Sequence, residues 1–217
     1  MFNFNIARKN MVKNQLMTNN INENNILKAF ESIPRENFLP FNSKLKAYFD
    51  EDIEIINNRF LLEPRVIANI IKLSKINKFD IVMDYPCSTG YTSCLLSKLC
   101  HSVYAIDNKI NMISSARNEI RKLNINNINL LEKKYLNSLK IKFDIIFIFG
   151  GVQYIPSFLL RLLKPNTGRL ITIIYKNNIG KINIVKNDKN IISNETFFTV
   201  HTPILNEFIN KKKVLTL

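Results

Sequence analysis

The stretch Asp84-Tyr85-Pro86-Cys87-Ser88-Thr89-Gly90 decides how the rest of this sequence is interpreted. It follows an apolar, β-prone run at residues 79–83 and precedes residues 91–99, whose composition is typical of a helix. A strand that breaks into a tight turn and opens a helix commonly holds a nucleotide-like ligand, because the N–H groups at the start of the helix point toward the turn. We therefore expect a ligand-binding turn here, with Gly90 as its single glycine.

Strands and helices alternate after this turn. Strands are predicted at residues 79–84, 101–107, 129–132, 143–149 and 168–175, and a final antiparallel pair is predicted at 181–186 and 196–201, joined by a polar turn at 187–190. Repeated strand–helix units of this length predict an α/β fold with a mostly parallel, doubly wound sheet. The nearly continuous apolar run at 143–149 is typical of a central parallel strand that is buried on both faces.

The N-terminal part of the chain has a different pattern. Apolar residues at helical spacing predict helices in the first 45 residues, followed by a short edge strand at 50–56. Pro64 suits the first turn of a further helix. Because no repeat, low-complexity linker or second boundary interrupts the sequence, we predict a single domain over residues 1–217.

The net charge of +14 raises the question of a nucleic-acid or membrane partner. The lysines are spread along the whole chain, with the densest run at residues 211–213, and this distribution favours a solvated surface over a nucleic-acid groove. No apolar run approaches the roughly 20 residues of a membrane span, and the N-terminus lacks a basic-then-apolar signal. We expect a cytoplasmic monomer without a membrane or nucleic-acid partner.

The three cysteines, Cys87, Cys94 and Cys100, predict no metal site. Their number is odd and their spacing matches no zinc-binding pattern. Reduced, half-buried thiols in a cytosolic chain are expected. Cys87 lies in the ligand turn, where packing of a small residue is favoured over ligand contact.

Two acidic residues stand where predicted strands end. Asp84 ends the first strand of the α/β part and Asp107 ends the second, 17 residues after Gly90. An acid at the end of the second strand can accept hydrogen bonds from both ribose hydroxyls of an adenosine, and the usual spacing is about 20 residues. Gly150-Gly151, after the fourth strand, either lets the backbone approach a ligand or forms a plain strand-to-loop turn.

The segment Pro34-Arg35-Glu36-Asn37-Phe38-Leu39-Pro40 resembles the N-terminal part of the protein-L-isoaspartate O-methyltransferases. Further segments resemble the same family in order: Met11-Val12 with Gln15-Leu16, residues 47–50, the turn at 84–91, Asp107, residues 143–156 and residues 163–170. The resemblance covers nearly the whole chain. It implies a Rossmann-like methyltransferase fold with N-terminal helices, a C-terminal antiparallel pair and S-adenosyl-L-methionine as cofactor.

The same resemblance assigns site residues. It implies a substrate-side segment within residues 1–64 and a cofactor-binding core at residues 65–217. The implied cofactor-binding residues are Asp84, Pro86, Ser88, Gly90, Asp107 and Gly150, and the implied substrate-side residues are Leu62, Glu63 and Pro64.

Two departures from the family pattern bear on activity. The family's Ser-Gln-Pro segment is Leu62-Glu63-Pro64 here, so no catalytic residue is assigned. Pro86 and Ser88 stand where the cofactor loop of the family has glycines. Proline removes an N–H donor, and Ser88 would be strained by about 1–3 kcal/mol if it needed a positive φ.

The resemblance implies methylation of the carboxylate of isoaspartyl residues in damaged proteins. Because a carboxylate is already nucleophilic at neutral pH, such catalysis is mainly alignment and needs no histidine or cysteine pair. Two alternatives remain open: a methyltransferase with another acceptor, and a degenerate methyltransferase fold that acts as a non-catalytic binding protein. A nucleic-acid methyltransferase rests on charge alone, since the chain lacks an Asn-Pro-Pro-aromatic motif.

Overall fold

Helices and a small hairpin form the N-terminal part of the structure, a computed structural model that describes residues 2–56, 58–188 and 191–210. The elements are α1 (Phe4–Met11), α2 (Asn24–Ser32), β1 (Ile53–Ile56), β2 (Arg59–Leu61) and α3 (Pro64–Ser74). Strands β1 and β2 pair with each other in a separate antiparallel sheet. The segment predicted as an edge strand is therefore half of a hairpin, whose three-residue partner β2 is too short to show a strand pattern in the sequence.

The main sheet has seven strands and gives the chain its α/β character. They are β3 (Ile81–Asp84), β4 (Ser102–Asp107), β5 (Ile128–Glu132), β6 (Ile145–Val152), β7 (Arg169–Lys176), β8 (Ile179–Asp188) and β9 (Ile191–Val200). Their order across the sheet is β5-β4-β3-β6-β7-β8-β9, with β3 to β7 parallel and β8 and β9 antiparallel. The predicted mostly parallel sheet with a C-terminal antiparallel pair is confirmed.

Both faces of this sheet are covered. Val82 and Ile145 belong to one buried apolar cluster, whereas their neighbours Met83 and Ile146 belong to a second one. Because alternate side chains of a strand point to opposite faces, the two clusters lie on opposite sides of the sheet. The helices that follow the parallel strands are α4 (Tyr91–Ser97), α5 (Ile110–Lys122) and α6 (Ser157–Arg161).

A buried arginine connects the N-terminal part to the helix that follows β3. Arg35 is fully buried, and its guanidinium donates to the carbonyl oxygens of Ala47 at 2.6 Å and Leu62 at 2.7 Å. It also lies 5.2 Å from the centre of the Tyr91 ring at the start of α4. Burial lowers the pKa of Arg35. The segment that carried the strongest family resemblance therefore has a structural role.

Two further expectations concern membranes and the lysine run. Within residues 2–56, 58–188 and 191–210, no helix is long and apolar enough to cross a membrane. The run at 211–213 and residues 189–190 of the predicted polar turn lie outside the described residues.

Candidate functional site

The turn after β3 lies at the carboxyl edge of the sheet, between β4 and β6. The chain order reverses here, since β4 and β5 extend the sheet on one side and β6 and β7 on the other, and ligands of such sheets bind at this point. The Tyr85 N–H donates to the carbonyl of Phe147 at 3.0 Å, and the Cys87 N–H donates to the carbonyl of Ile106 at 2.9 Å. These bonds fasten the turn to both neighbouring strands.

Asp84 ends β3 and is completely buried. Its Oδ2 accepts hydrogen bonds from the hydroxyls of Thr92 at 2.7 Å and Ser93 at 2.6 Å, both on α4. Its Oδ1 has no hydrogen-bond partner among the described residues. Burial raises the pKa of Asp84 to about 7. A buried carboxylate oxygen without a partner is suited to accept a hydrogen bond from a ligand.

The turn itself contains one cis peptide bond, Tyr85–Pro86, and two residues with positive φ, Ser88 at 49° and Gly90 at 88°. Ser88 thus adopts the left-handed conformation that glycine would adopt without strain. At Gly90 a second requirement applies, because a Cβ there would lie 2.9 Å from the Cβ of Ala116 on α5. Gly90 therefore allows both the turn and the close packing of α5.

Asp107, at the end of β4, is also completely buried, and its carboxylate is saturated with donors. Two of these donors are backbone amides, Ser88 N–H at 2.9 Å and Lys109 N–H at 2.9 Å. The other two are nitrogens of the single guanidinium group of Arg59, with Nη1 3.3 Å from Oδ2 and Nη2 3.4 Å from Oδ1. The predicted ribose-binding acid is thus engaged by another side chain of the same protein.

Arg59 is a site residue that the sequence reasoning did not identify. It belongs to the hairpin strand β2, and only 2% of its surface is exposed. Besides Asp107, it contacts Glu207 Oε1 at 2.5 Å, Asn108 Oδ1 at 3.1 Å and the hydroxyl of Ser88 at 3.3 Å. A charged residue directly before the apolar run Phe60-Leu61-Leu62 was the one available signal.

The C-terminal segment 202–208 covers the end of β6 next to this cluster. The Leu205 N–H donates to the carbonyl of Gly151 at 2.9 Å, and a Cβ on Gly150 would lie 2.6 Å from Leu205. The ring of Phe208 packs edge-on against Tyr85 at 6.0 Å. The absence of a side chain at Gly150 therefore leaves room for Leu205. Gly150 does not lie in an open crevice together with the residues of the turn.

A cleft of about 570 Å³ lies between the residues around the β1–β2 hairpin and the C-terminal segment. It is lined by Asp52, Phe60, Glu63, Tyr175, Asn178, His201, Thr202, Pro203 and Ile204. Glu63 donates its N–H to Asp52 Oδ1 at 2.7 Å, and burial raises the pKa of both carboxyl groups. Of the three predicted substrate-side residues, Glu63 lines this cleft, whereas Leu62 and Pro64 are buried and do not line it.

The cysteines take no part in a metal site within the part of the chain that the structure describes. Cys87, Cys94 and Cys100 are all free thiols and all buried. Burial raises the pKa of each of them, so the reactive thiolate form is disfavoured.

The chain matches a family model over residues 7–207, and that family is described as protein-L-isoaspartate(D-aspartate) O-methyltransferase. A protein-L-isoaspartate O-methyltransferase 2 of Shewanella sediminis is 29% identical over 167 residues, which cover 76% of this chain and 68% of the relative. A protein-L-isoaspartate O-methyltransferase of Koribacter versatilis is 25% identical over 185 residues, covering 84% of this chain and 83% of the relative.

Two solved structures are similar over most of the chain. One is a Plasmodium falciparum protein described as a protein-L-isoaspartate O-methyltransferase in complex with S-adenosyl-L-homocysteine, with a TM-score of 0.76 and 19% identity, covering 92% of this chain and 98% of that one. The other, named protein-L-isoaspartate O-methyltransferase, has a TM-score of 0.77 and 19% identity, covering 92% and 66%. At this identity the similarity establishes the fold alone, and it confirms the predicted Rossmann-like fold.

Replacing Asp84 should flatten the pH dependence of stability. Because the pKa of Asp84 is near 7 in the folded protein and 3.8 ordinarily, the folded state holds the extra proton between these values, and the free energy of unfolding falls as pH rises through that window. Asp84→Asn should remove this slope, about 1.4 kcal/mol per pH unit at most. Urea denaturation from pH 4 to 8 measures it, with the exposed Asp50→Asn as control. An unchanged slope in Asp84→Asn would contradict the assignment.

Glycine at position 88 should stabilise the protein relative to alanine. Both Ser88→Gly and Ser88→Ala remove the hydroxyl, so they differ only in the Cβ that position 88 carries at a φ of 49°. Strain at the alanine exceeds the greater unfolded-state entropy of glycine. We expect Ser88→Gly to unfold with a free energy about 1 kcal/mol higher than Ser88→Ala. Equal stability of the two variants in urea would show that the turn carries no strain.

Proposed function

This chain belongs to the protein-L-isoaspartate(D-aspartate) O-methyltransferase family, and from this premise we propose that it is an S-adenosyl-L-methionine-dependent methyltransferase. It methylates the carboxylate of isoaspartyl residues in damaged proteins, which makes it a protein-repair enzyme. The observation that carries this proposal is the family match over residues 7–207 of the 217-residue chain. The presence of buried acids at the ends of both β3 and β4 supports it.

The cofactor supplies a methyl group that is activated by attachment to a sulfonium. In the proposal, the unpartnered Oδ1 of Asp84 accepts a hydrogen bond from the amino group of the methionine part. The carboxylate of Asp107 accepts from the ribose hydroxyls, because a carboxylate at the end of the second strand suits that geometry. Ser88 and Gly90 shape the turn between these two acids, and Pro86 begins it. In the structure, Asp107 also contacts Arg59.

On the substrate side, the residues of the chain position the acceptor and exclude water. The acceptor carboxylate is already ionised at neutral pH, so orientation in line with the methyl group supplies most of the catalysis. We propose that the cleft bounded by Glu63 and Asp52 receives the peptide. Leu62 and Pro64, the buried neighbours of Glu63 in the sequence, fix the backbone that presents Glu63 to the cleft. No residue is assigned a catalytic proton transfer.

The proposal extends to the organisation and surroundings of the chain. Residues 1–64 supply the substrate side and residues 65–217 the cofactor-binding core of a single domain. The protein acts as a monomer in the cytoplasm on protein or peptide substrates, a compartment that suits three free thiols.

One observation favours a second candidate function. Four donors of the protein occupy the carboxylate of Asp107. A protein that never binds the cofactor could keep these hydrogen bonds without losing any function. In that case the chain would be a non-catalytic binding protein with a methyltransferase fold. Binding of S-adenosyl-L-homocysteine separates the two functions, since the binding protein would not recognise it.

The proposed activity predicts that an isoaspartyl peptide accepts labelled methyl groups and that its aspartyl twin does not. The two peptides differ only in which carboxyl group is free, so at least about tenfold discrimination is expected if the cleft aligns that group. The label should be released as methanol by mild base, because the product is a carboxyl ester. Equal labelling of both peptides, or a base-stable product, would indicate a methyltransferase with another acceptor.

A further inference from the structure

Resting on the proposed function, we propose that Arg59 controls access of the cofactor to its ribose acid. Arg59 and its two carboxylate partners, Asp107 and Glu207, form a cluster that we call the Arg59 lock. In the locked state the guanidinium occupies the positions on Asp107 that the ribose hydroxyls would take. Cofactor binding therefore requires Arg59 to leave Asp107.

The hydrogen bonds of Asp107 show which of its partners can be exchanged. The amides of Ser88 and Lys109 are part of the turn and of the chain leading into α5, and both donate at 2.9 Å. The bonds from Arg59 are longer, 3.3 and 3.4 Å, and come from a side chain rather than the backbone. Longer hydrogen bonds of this kind are weaker. The amides thus hold the carboxylate in place. The two hydrogen bonds from Arg59 are the ones that a ligand could replace.

An arginine on this acid excludes the ribose chemically as well as sterically. A guanidinium can only donate hydrogen bonds, and a ribose hydroxyl that recognises a strand-end acid must also donate to it. Both groups therefore need the same carboxylate oxygens. Because Asp107 is completely buried, no other face of its carboxylate is open to a second donor.

Glu207 remains available as an ion-pair partner for Arg59 after Arg59 leaves Asp107. Its Oε1 lies 2.5 Å from Arg59 Nη2, closer than either oxygen of Asp107. Glu207 is 17% exposed at its side chain, whereas Asp107 is not exposed at all. Arg59 can thus rotate away from Asp107, toward the surface, while it keeps one carboxylate partner. This lowers the cost of opening, since a buried charge without a partner would be strongly destabilising.

The lock also joins two segments that cover the site. Arg59 is on the hairpin strand β2, and Glu207 is on the C-terminal segment 202–208, next to Phe208, which packs on Tyr85 of the turn. The hairpin also contributes Phe60 to the substrate-side cleft, and the C-terminal segment contributes Thr202 to Ile204. Opening the lock therefore affects the same two segments that bound the acceptor cleft.

The test is a calorimetric titration of the full chain with S-adenosyl-L-homocysteine. In Arg59→Met the competing guanidinium is gone, so affinity should rise at least about tenfold, as expected when a binding-competent state is populated in one molecule in ten or fewer. In Glu207→Gln the arginine loses its alternative partner and stays on Asp107, so affinity should fall. Arg161→Met, an exposed arginine on α6, is the matched control and should bind like the wild type.

The double variant and thermal melting complete the experiment. With Arg59 replaced, Glu207 has no arginine to hold, so Arg59→Met with Glu207→Gln should bind like Arg59→Met alone. Melting temperatures with and without ligand establish that each variant is folded. If Arg59→Met does not fold, Glu207→Gln decides by itself: weaker binding than the wild type supports the lock, and equal or tighter binding overturns it.

The outcomes separate the lock from the proposed function. Tighter binding by Arg59→Met together with weaker binding by Glu207→Gln supports the lock. Equal affinity of the wild type and Arg59→Met, within twofold, overturns the lock and leaves the proposed function standing. No binding by any folded variant at millimolar ligand overturns both, and then the chain is a binding protein that has lost the cofactor.

Discussion

One buried carboxylate, that of Asp107, connects the parts of the chain that make up the site. It accepts hydrogen bonds from the turn after β3, from the start of α5 and from the hairpin strand β2. A fully buried charge is tolerated only when such donors surround it. Through Arg59 the same cluster reaches Glu207 and the C-terminal segment. The position of the turn, the hairpin and the C-terminal segment thus depends on one acid at the end of β4.

The turn departs from a glycine-rich loop, and the structure shows how the chain accommodates this. Ser88 adopts the left-handed conformation and donates its N–H to Asp107, while the N–H groups of Tyr85 and Cys87 bind the neighbouring strands. These amides bind protein and not ligand. In the proposed function, the two acids are therefore the groups that recognise the cofactor. Glycine is required at position 90, because the residue there has a positive φ and Ala116 approaches it too closely for a Cβ.

The sequence indicated the parallel strands and the acids at their ends, because both follow from local patterns: apolar runs of strand length and a break after each one. It did not indicate Arg59 or Glu207 as site residues. These side chains lie 48 and 148 residues from their partners Asp107 and Arg59, and no local pattern records a contact over such a distance. The contact between Gly150 and Leu205 is of the same kind, since Leu205 comes from the far end of the chain.

In the proposed lock, the cofactor and Arg59 compete for Asp107. A crystal structure of the wild-type chain with S-adenosyl-L-homocysteine would reveal which of them holds Asp107. We expect ribose hydroxyls within hydrogen-bond distance of Asp107, with the guanidinium of Arg59 turned away from Asp107 and still paired with Glu207. A bound ligand beside an intact ion pair between Arg59 and Asp107 would contradict it.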